Sequence, residues 1–210
     1  MRESPVVPQR RLDRRGDPQQ RAVAPGAVFA ADRFAAATYK PDGSATGPVG
    51  TLDILVANAG MGPLVPSHEV SEALFDSVVG LNFKGPFRLM ANIANRMAQG
   101  EGGAILATSS IASLRPTPMV VPYAGAKAAL NATVSSMAHE YGPKVRVNAI
   151  AAGPFLTDIA KAWTEEAREK TDSASGRPGR PEEIVTSALY LASPSSSFVT
   201  GTVIRCDGGC

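Results

Sequence analysis

Short apolar runs alternate with stretches of helical periodicity along the chain from residue 52 onward. Glycines bound the apolar runs, a pattern that is typical of a parallel sheet covered by helices on both faces. The predicted strands lie near 52–57, 104–109, 145–150 and 201–206. The predicted helices lie near 69–80, 82–98, 123–141, 157–169 and 181–192. The expected fold class is therefore α/β, with a doubly wound parallel sheet flanked by helices.

Residues 1–50 differ from the rest of the chain. They are dense in Pro, Arg, Gly and Ala and show no sustained periodicity, which is typical of a poorly ordered leader. The predicted organisation is thus an atypical leader over 1–50 and one α/β domain over 51–210. Within the leader, the run from Ala27 to Asp32 is a candidate strand, although periodicity alone cannot assign so short a run.

Composition and charge narrow the class of protein. The 210 residues are 44% hydrophobic and 19% charged, which is ordinary for one globular domain. No apolar run approaches the roughly 20 residues of a membrane span, and the N-terminus carries no signal-peptide block. We therefore expect a cytoplasmic protein that does not enter a membrane.

The net charge of +2 is uneven, since residues 1–50 carry eight Lys and Arg against five Asp and Glu. Most of these cations lie within residues 2–21, where no aromatic residue is interleaved, so the basic excess does not predict nucleic-acid binding. Cys206 and Cys210 show no ligand spacing with His68 or His139. Neither a metal site nor a disulfide is expected.

Candidate chemistry lies in a spaced set of three side chains. Ser110 is followed thirteen residues later by Tyr123 and four residues after that by Lys127. Residues at i and i+4 share one helix face. A Lys ammonium beside a phenol would lower the Tyr pKa from its usual value of about 10, and a Ser hydroxyl could hold a carbonyl or alcohol oxygen. The set predicts an acid–base site for proton transfer at oxygen; the alternative is a surface helix with its Lys in solvent.

Further motifs stand in a fixed order around this set. They are Leu52–Gly60 ending in Asn58-Ala59-Gly60, Gly80–Gly85 around Asn82, Gly103–Ser110, Val145–Pro154 and Thr200–Gly209. In this order and spacing the chain resembles the short-chain dehydrogenase/reductase family over about residues 52–210. The resemblance implies a Rossmann-like sheet, NAD or NADP as cofactor, and a small-molecule alcohol or carbonyl substrate.

The resemblance also implies roles for single residues. Tyr123 would donate a proton to a carbonyl oxygen or take one from an alcohol, and Lys127 would lower the Tyr123 pKa and hydrogen-bond the nicotinamide ribose. Ser110 would orient the substrate oxygen. Asn82 would hold a helix kink and a water that links Lys127 to solvent, or would be an ordinary polar helix residue.

Cofactor-binding residues follow from the same resemblance. They are Asn58, Ala59, Gly60, Tyr123, Lys127, Gly153, Pro154, Thr157 and, for the adenine, Asp32. Carboxyl ends of parallel strands are where open sheets bind ligands. Gly60 could instead serve only backbone geometry at the turn, and Thr157 could be a plain N-cap for helix 157–169.

The family's substrate lid would fall on residues 157–180. Its apolar residues, together with others near the strand ends, indicate a partly apolar pocket for a small or medium alcohol or carbonyl compound. These residues are Met61, Pro63, Pro116, Met119, Phe155 and Trp163. The alternative is that they are generic packing residues.

One family motif is absent. The Gly-rich turn Thr-Gly-x-x-x-Gly-x-Gly, whose backbone lets a pyrophosphate approach, does not occur, and Thr46–Gly50 has the wrong spacing. We therefore expect incomplete N-terminal strands and an apolar sheet edge at 52–57, which would need cover. Two alternatives follow: part of 1–50 supplies a substitute strand, or the chain is a truncated or mis-framed product.

Helices 82–98 and 123–141 would, in this family, pack across a two-fold axis into homodimers or homotetramers. Small residues that permit close approach are Ala126, Ala128, Ala129, Ala132 and Ala138. The alternative is packing within one chain.

Three functions remain open. The first is an NAD(P)-dependent oxidoreductase that interconverts an alcohol and a carbonyl, with Tyr123 as general acid and base. The second is an inactive relic or an oligomerising interaction protein that cannot bind the dinucleotide. The third is a hydro-lyase or epimerase that uses Tyr123 without net redox change.

Overall fold

The computed structural model describes residues 52–210 and three short strands before them. Those strands are β1 (Ala27–Val28), β2 (Ala37–Tyr39) and β3 (Ala45–Thr46), which pair in antiparallel order β1-β2-β3. β1 coincides with the start of the candidate strand at 27–32, whereas Asp32 lies outside the described residues. The remainder of the predicted leader also lies outside them.

Four parallel strands form the main sheet in the order β4-β5-β6-β7. They are β4 (Ile54–Ala57), β5 (Gly103–Ser110), β6 (Val145–Ala152) and β7 (Val203–Cys206). Each lies within a few residues of its predicted position, which confirms the α/β parallel sheet. Within the described part of the chain, β4 forms one edge of this sheet, at the run where an edge was expected.

The helices follow the predicted order. They are α1 (Glu72–Val79), α2 (Gly85–Gln99), α3 (Val121–Tyr141), α4 (Glu165–Glu169) and α5 (Val185–Ala192). A π-helical segment, Gly80–Lys84, joins α1 to α2 without a break in the helical backbone. Such π-segments often occur at functional sites.

Two predicted helices differ from those observed. The helix expected over 157–169 is split into a 3-10 turn at Asp158–Ala162 and the short α4. The split follows from Trp163, whose backbone is extended, and from Thr164, whose side chain accepts a hydrogen bond from the Ala167 N–H at 3.2 Å and so starts a new helix. The helix expected over 181–192 begins as a 3-10 turn, Pro181–Ile184, before α5.

The core lies on both faces of the sheet. Successive strand residues point to opposite faces, so Ile105 packs with Leu130 of α3 in one cluster. Its neighbour Leu106 packs with Leu191 of α5 in another. Helices therefore cover both faces of β5, as the doubly wound pattern predicts.

The small residues of α3 divide between the core and the surface. Ala126 and Ala138 are buried within the single chain, whereas Ala128 and Ala132 are exposed. Packing within the chain therefore accounts for the first pair. The second pair stays available for the predicted packing of helices between subunits.

Candidate active site

The site lies at the carboxyl ends of three neighbouring strands. Ser110 is the last residue of β5, Asn58–Gly60 follow β4, and Gly153–Thr157 follow β6. Because the strands are parallel and adjacent, their carboxyl ends lie side by side, which is where open α/β sheets bind ligands. α3 begins at Val121 with Pro122 in its first turn, a favourable helix start. The first turns of α3 carry Tyr123 and Lys127 near these strand ends.

The Ser110 hydroxyl influences the ionisation of Tyr123. Ser110 is buried and extended, and its Oγ accepts a hydrogen bond from the Ala112 N–H at 3.2 Å. Burial raises the pKa of Tyr123 above its usual value of 10.0, while the hydrogen bond with Ser110 lowers it. The prediction that this pKa lies below its usual value is therefore wrong for the structure described, because the cost of burying a phenolate prevails.

Lys127 is buried beneath the Tyr123 ring. Its side chain is 2% exposed, and Nζ lies 5.7 Å from the ring centroid and donates a hydrogen bond to the Thr108 carbonyl at 2.7 Å. Burial lowers the pKa of Lys127 from 10.5 to about 8, since a charged ammonium loses hydration there. The alternative of a surface helix with Lys in solvent is therefore wrong.

Asn82 is fully buried in the π-helical segment. Its Nδ2 donates to the carbonyls of Met61 and Val78, each at 2.8 Å, and its Oδ1 accepts from the Met61 N–H at 3.2 Å. Both backbone groups of Met61 are thus held by one side chain. Asn82 thus lies buried in an irregular stretch of helix, and its roles at a helix kink and in a water relay stay predictions.

Gly60 brings the buried polar residues close to the β4 end. A Cβ at Gly60 would lie 2.8 Å from Asn82 Oδ1 and 3.3 Å from Lys127 Nζ. A Cβ at Gly62 would lie 3.4 Å from the Tyr123 ring. The absence of a side chain at position 60 thus permits the close approach of this loop to Asn82 and Lys127.

Thr108 is a residue of the site that sequence reasoning missed. Besides accepting from Lys127, it donates from Oγ1 to Asn58 Oδ1 at 2.7 Å, which joins the ends of β4 and β5. Its signal in the sequence is the strand period, since Thr108 and Ser110 stand two positions apart and share one face.

The loop after β6 is held by backbone contacts. The Gly153 N–H donates to the Cys206 carbonyl at 2.9 Å, and a Cβ at Gly153 would lie 2.5 Å from Asp207 Cα. The Pro154 carbonyl accepts from the Gly179 N–H at 2.9 Å. Thr157 occupies the N-cap position of the turn at 158–162, but its side chain makes no capping hydrogen bond, so the plain N-cap interpretation gains no support.

An apolar depression lies beside Tyr123, between α1 and the start of α3. Its lining residues are Pro63, Val65, Val70, Leu74, Val78, Met119, Pro122 and Tyr123. Two predicted pocket residues, Pro63 and Met119, belong to it. Met119 has a φ of 68°, unusual for a residue other than Gly, and its carbonyl accepts from the Val65 N–H at 2.7 Å.

The described residues also bear on metal binding and on membrane insertion. No group of three or more His, Cys, Asp or Glu side chains that could hold a metal ion occurs among them. Likewise, none of the helices in the described ranges is long and apolar enough to cross a membrane.

The sheet and the Ser–Tyr–Lys arrangement define a Rossmann-like α/β protein. Residues 42–210 match the family described as enoyl-(acyl carrier protein) reductase. The chain belongs to the short-chain dehydrogenase/reductase family, as the sequence motifs indicated.

Individual relatives show the range of that family. The chain is 36% identical over 162 residues to the 3-oxoacyl-[acyl-carrier-protein] reductase of Chlamydia trachomatis, covering 76% of this chain and 65% of that protein. It is 37% identical over 166 residues to the L-rhamnose 1-dehydrogenase (NAD(P)(+)) of Azotobacter vinelandii, covering 76% and 65%. The chain thus spans slightly less than two thirds of these relatives.

A solved structure of similar fold is a 7α-hydroxysteroid dehydrogenase complexed with NADH and 7-oxo glycochenodeoxycholic acid. The TM-score is 0.70 at 36% identity, over 75% of this chain and 63% of that one.

Proposed function

We propose that this chain is an NAD(P)-dependent oxidoreductase that interconverts an alcohol and a carbonyl, with Tyr123 as general acid and base. The observation that carries the proposal is the convergence of Ser110 and Tyr123 above a buried Lys127. Burying an ammonium is costly, so its place beneath a phenol is best explained by chemistry that forms a phenolate.

The described residues fit the nicotinamide end of a dinucleotide. Gly60 lets the backbone after β4 lie close to Asn82 and Lys127. The residues Asn58–Gly60 and Gly153–Thr157 follow the ends of β4 and β6 at the same end of the sheet. We assign to them the contacts with the nicotinamide and to Lys127 the contact with its ribose. When bound, the nicotinamide supplies or accepts the hydride.

The proton is managed by the protein. In the reducing direction Tyr123 donates its phenolic proton to the carbonyl oxygen of the substrate, which Ser110 holds by a hydrogen bond. The Lys127 ammonium, fixed by the Thr108 carbonyl at 2.7 Å, stabilises the phenolate that remains. In the oxidising direction the same groups act in reverse, and Tyr123 takes the proton of the alcohol.

The substrate class follows from the depression beside Tyr123. Its lining is apolar, with Pro63, Val65 and Met119 on the loops, so it suits a carbonyl or alcohol that carries an apolar substituent. The named relatives act on a thioester-linked 3-oxoacyl group and a sugar, and a third is complexed with an oxo-steroid. This chain's substrate is proposed only as a small or medium alcohol or carbonyl compound.

A binding titration tests the proposal. The purified full chain is titrated with NADH and with NADPH by calorimetry, and the Tyr123→Phe variant serves as the control with its binding surface nearly unchanged. Binding of either cofactor, followed by reduction of a test carbonyl such as a 3-oxoacyl thioester that Tyr123→Phe does not reduce, supports the proposal. Absence of binding by a folded chain contradicts it.

One observation favours a second candidate. The sequence has no Thr-Gly-x-x-x-Gly-x-Gly turn, the feature with which relatives of this kind bind a pyrophosphate. A relic or interaction protein that retains the fold would therefore bind neither NADH nor NADPH, which is the opposite outcome of the same titration. The cytoplasmic location and the homodimer or homotetramer stay predictions.

A further inference from the structure

A chain of hydrogen bonds ties the helix that carries Tyr123 to the strand that carries Ser110. Asn131 lies one turn after Lys127 on α3, so Tyr123, Lys127 and Asn131 follow one another at i, i+4 and i+8 on one helix face. Asn131 Oδ1 accepts from Ser109 Oγ at 2.6 Å. Its Nδ2 donates to Ser113 Oγ at 2.8 Å.

The two hydrogen bonds of the Asn131 amide go to residues on either side of Ser110. Ser109 is the neighbour of Ser110 on β5 and is 1% exposed. Ser113, at the end of the 3-10 turn Ile111–Ser113, donates from Oγ to the Ser110 carbonyl at 2.5 Å. Asn131 therefore fixes the strand before Ser110 through one hydrogen bond and the turn after it through the other.

We propose that Asn131 is a positioning residue of the site, whose amide sets how the Ser110 hydroxyl meets Tyr123 by joining α3 to both sides of Ser110. In the proposed function Ser110, Tyr123 and Lys127 contact substrate or cofactor, whereas Asn131 acts through Ser110. This inference rests on the proposed function for its catalytic meaning, but the geometry that it predicts can be measured without activity.

The ionisation of Tyr123 reports on this contact. The hydrogen bond with Ser110 lowers the Tyr123 pKa, so loosening Ser110 raises it. The charged group that faces the ring from α3 is Lys127, at 5.7 Å. β5 and the loop after β4 present Ser110 and Gly62, and α1 presents Leu74 and Val78, all of them uncharged.

The test is ultraviolet titration of the phenolate in the full chain. Each variant is measured against its own Tyr123→Phe counterpart, so that the difference belongs to Tyr123 alone. Asn131→Ala should move this ionisation up by about half a unit to one unit, the equivalent of one net hydrogen bond. In a Ser110→Ala background the same substitution should cause no shift, because the contact through which Asn131 acts is gone.

Controls separate positioning from folding. Ser136→Ala lies on the same helix, where its exposed Oγ donates only locally to the Ala132 carbonyl at 3.0 Å, and it should leave Tyr123 unchanged. Ser113→Ala removes the contacts of Ser113 Oγ with the Ser110 carbonyl, Asn131 Nδ2 and Ser109 Oγ but keeps the hydrogen bond from Ser109 to Asn131 Oδ1. It should shift the Tyr123 pKa in the same direction by less, which provides a milder variant if Asn131→Ala does not fold.

An equal shift in the presence and absence of Ser110, or no shift from either Asn131→Ala or Ser113→Ala, overturns the proposal. Failure of the proposed function is a separate result, since it is seen in the cofactor titration and leaves the phenolate titration unaffected.

Discussion

The two halves of the candidate site are built in different ways. In the acid–base corner (Asn82, Ser110, Tyr123 and Lys127) buried polar side chains contact one another or a backbone carbonyl. In the strand-end loops (58–60 and 153–157) the contacts after β6 are mostly backbone hydrogen bonds, and glycines permit the close approaches. The first half is thus specified by side-chain chemistry and the second by backbone geometry. Substitutions should accordingly affect catalysis in the corner and binding in the loops.

Tyr123→Phe should cause the largest loss of activity. The substitution removes the proton donor but keeps the ring that packs on Gly62. We expect kcat to fall by about 10²- to 10⁴-fold, the usual contribution of general acid–base catalysis, with little change in cofactor binding. The measurement is the rate of NAD(P)H consumption with a test carbonyl. A loss of only a few-fold would mean that Tyr123 is not the acid.

Gly60→Ala should lower activity although Gly60 belongs to the strand-end loops, because this residue lies next to Asn82 and Lys127 of the acid–base corner. Its Cβ would lie 2.8 Å from Asn82 Oδ1, a contact that displaces Asn82 or Lys127. Since small displacements of reacting groups can cost up to about 100-fold, we expect kcat to fall by about ten- to a hundredfold.

The matched control is Gly125→Ala, which lies between Tyr123 and Lys127 on α3 with open space around its Cβ. It should keep kcat and stabilise the helix by about 0.5–1 kcal/mol, measured by urea unfolding. Equal losses of activity in the two variants would show that the Gly60 contact has no special role.

The contrast between the halves also explains what the sequence could predict. The positions of the strands along the chain and the shared helix face of Tyr123 and Lys127 follow from periodicity and spacing, because each helix or strand face is fixed by local geometry. The burial of Lys127 and the burial of Tyr123, which raises the Tyr123 pKa, depend on how closely the neighbouring elements pack on α3, which spacing does not encode. Similarly, the break at Trp163 within the predicted helix 157–169 arises where the Thr164 cap competes with helix continuation.

The buried ammonium gives the corner a pH dependence that the loops lack. The Lys127 pKa is about 8 in the folded chain against 10.5 for the free group. Above about pH 8 the unfolded chain binds more protons than the folded one at this site, so the free energy of unfolding rises with pH. Between pH 7 and pH 9 the wild-type chain should gain about 1 kcal/mol relative to Lys127→Met.

Urea unfolding at both pH values measures this gain, and other titrating groups cancel in the comparison. Lys84→Met, at an exposed position of the π-helical segment, should follow the wild-type curve. Parallel curves for wild type and Lys127→Met would contradict the shifted pKa.

Thr157→Ala should have the smallest effect of these substitutions, and it tests whether a residue of the strand-end loops affects cofactor binding alone. Its side chain makes no capping hydrogen bond, so its removal should cost little folding free energy, and its hydroxyl is free to contact the proposed cofactor. Losing one such hydrogen bond of about 1 kcal/mol or less weakens NADH binding by up to about fivefold. Calorimetric titration measures that loss, while kcat at saturating cofactor should stay unchanged. A fall in kcat without a change in affinity would place Thr157 with the acid–base corner, and the division between side-chain chemistry and backbone geometry would then not hold.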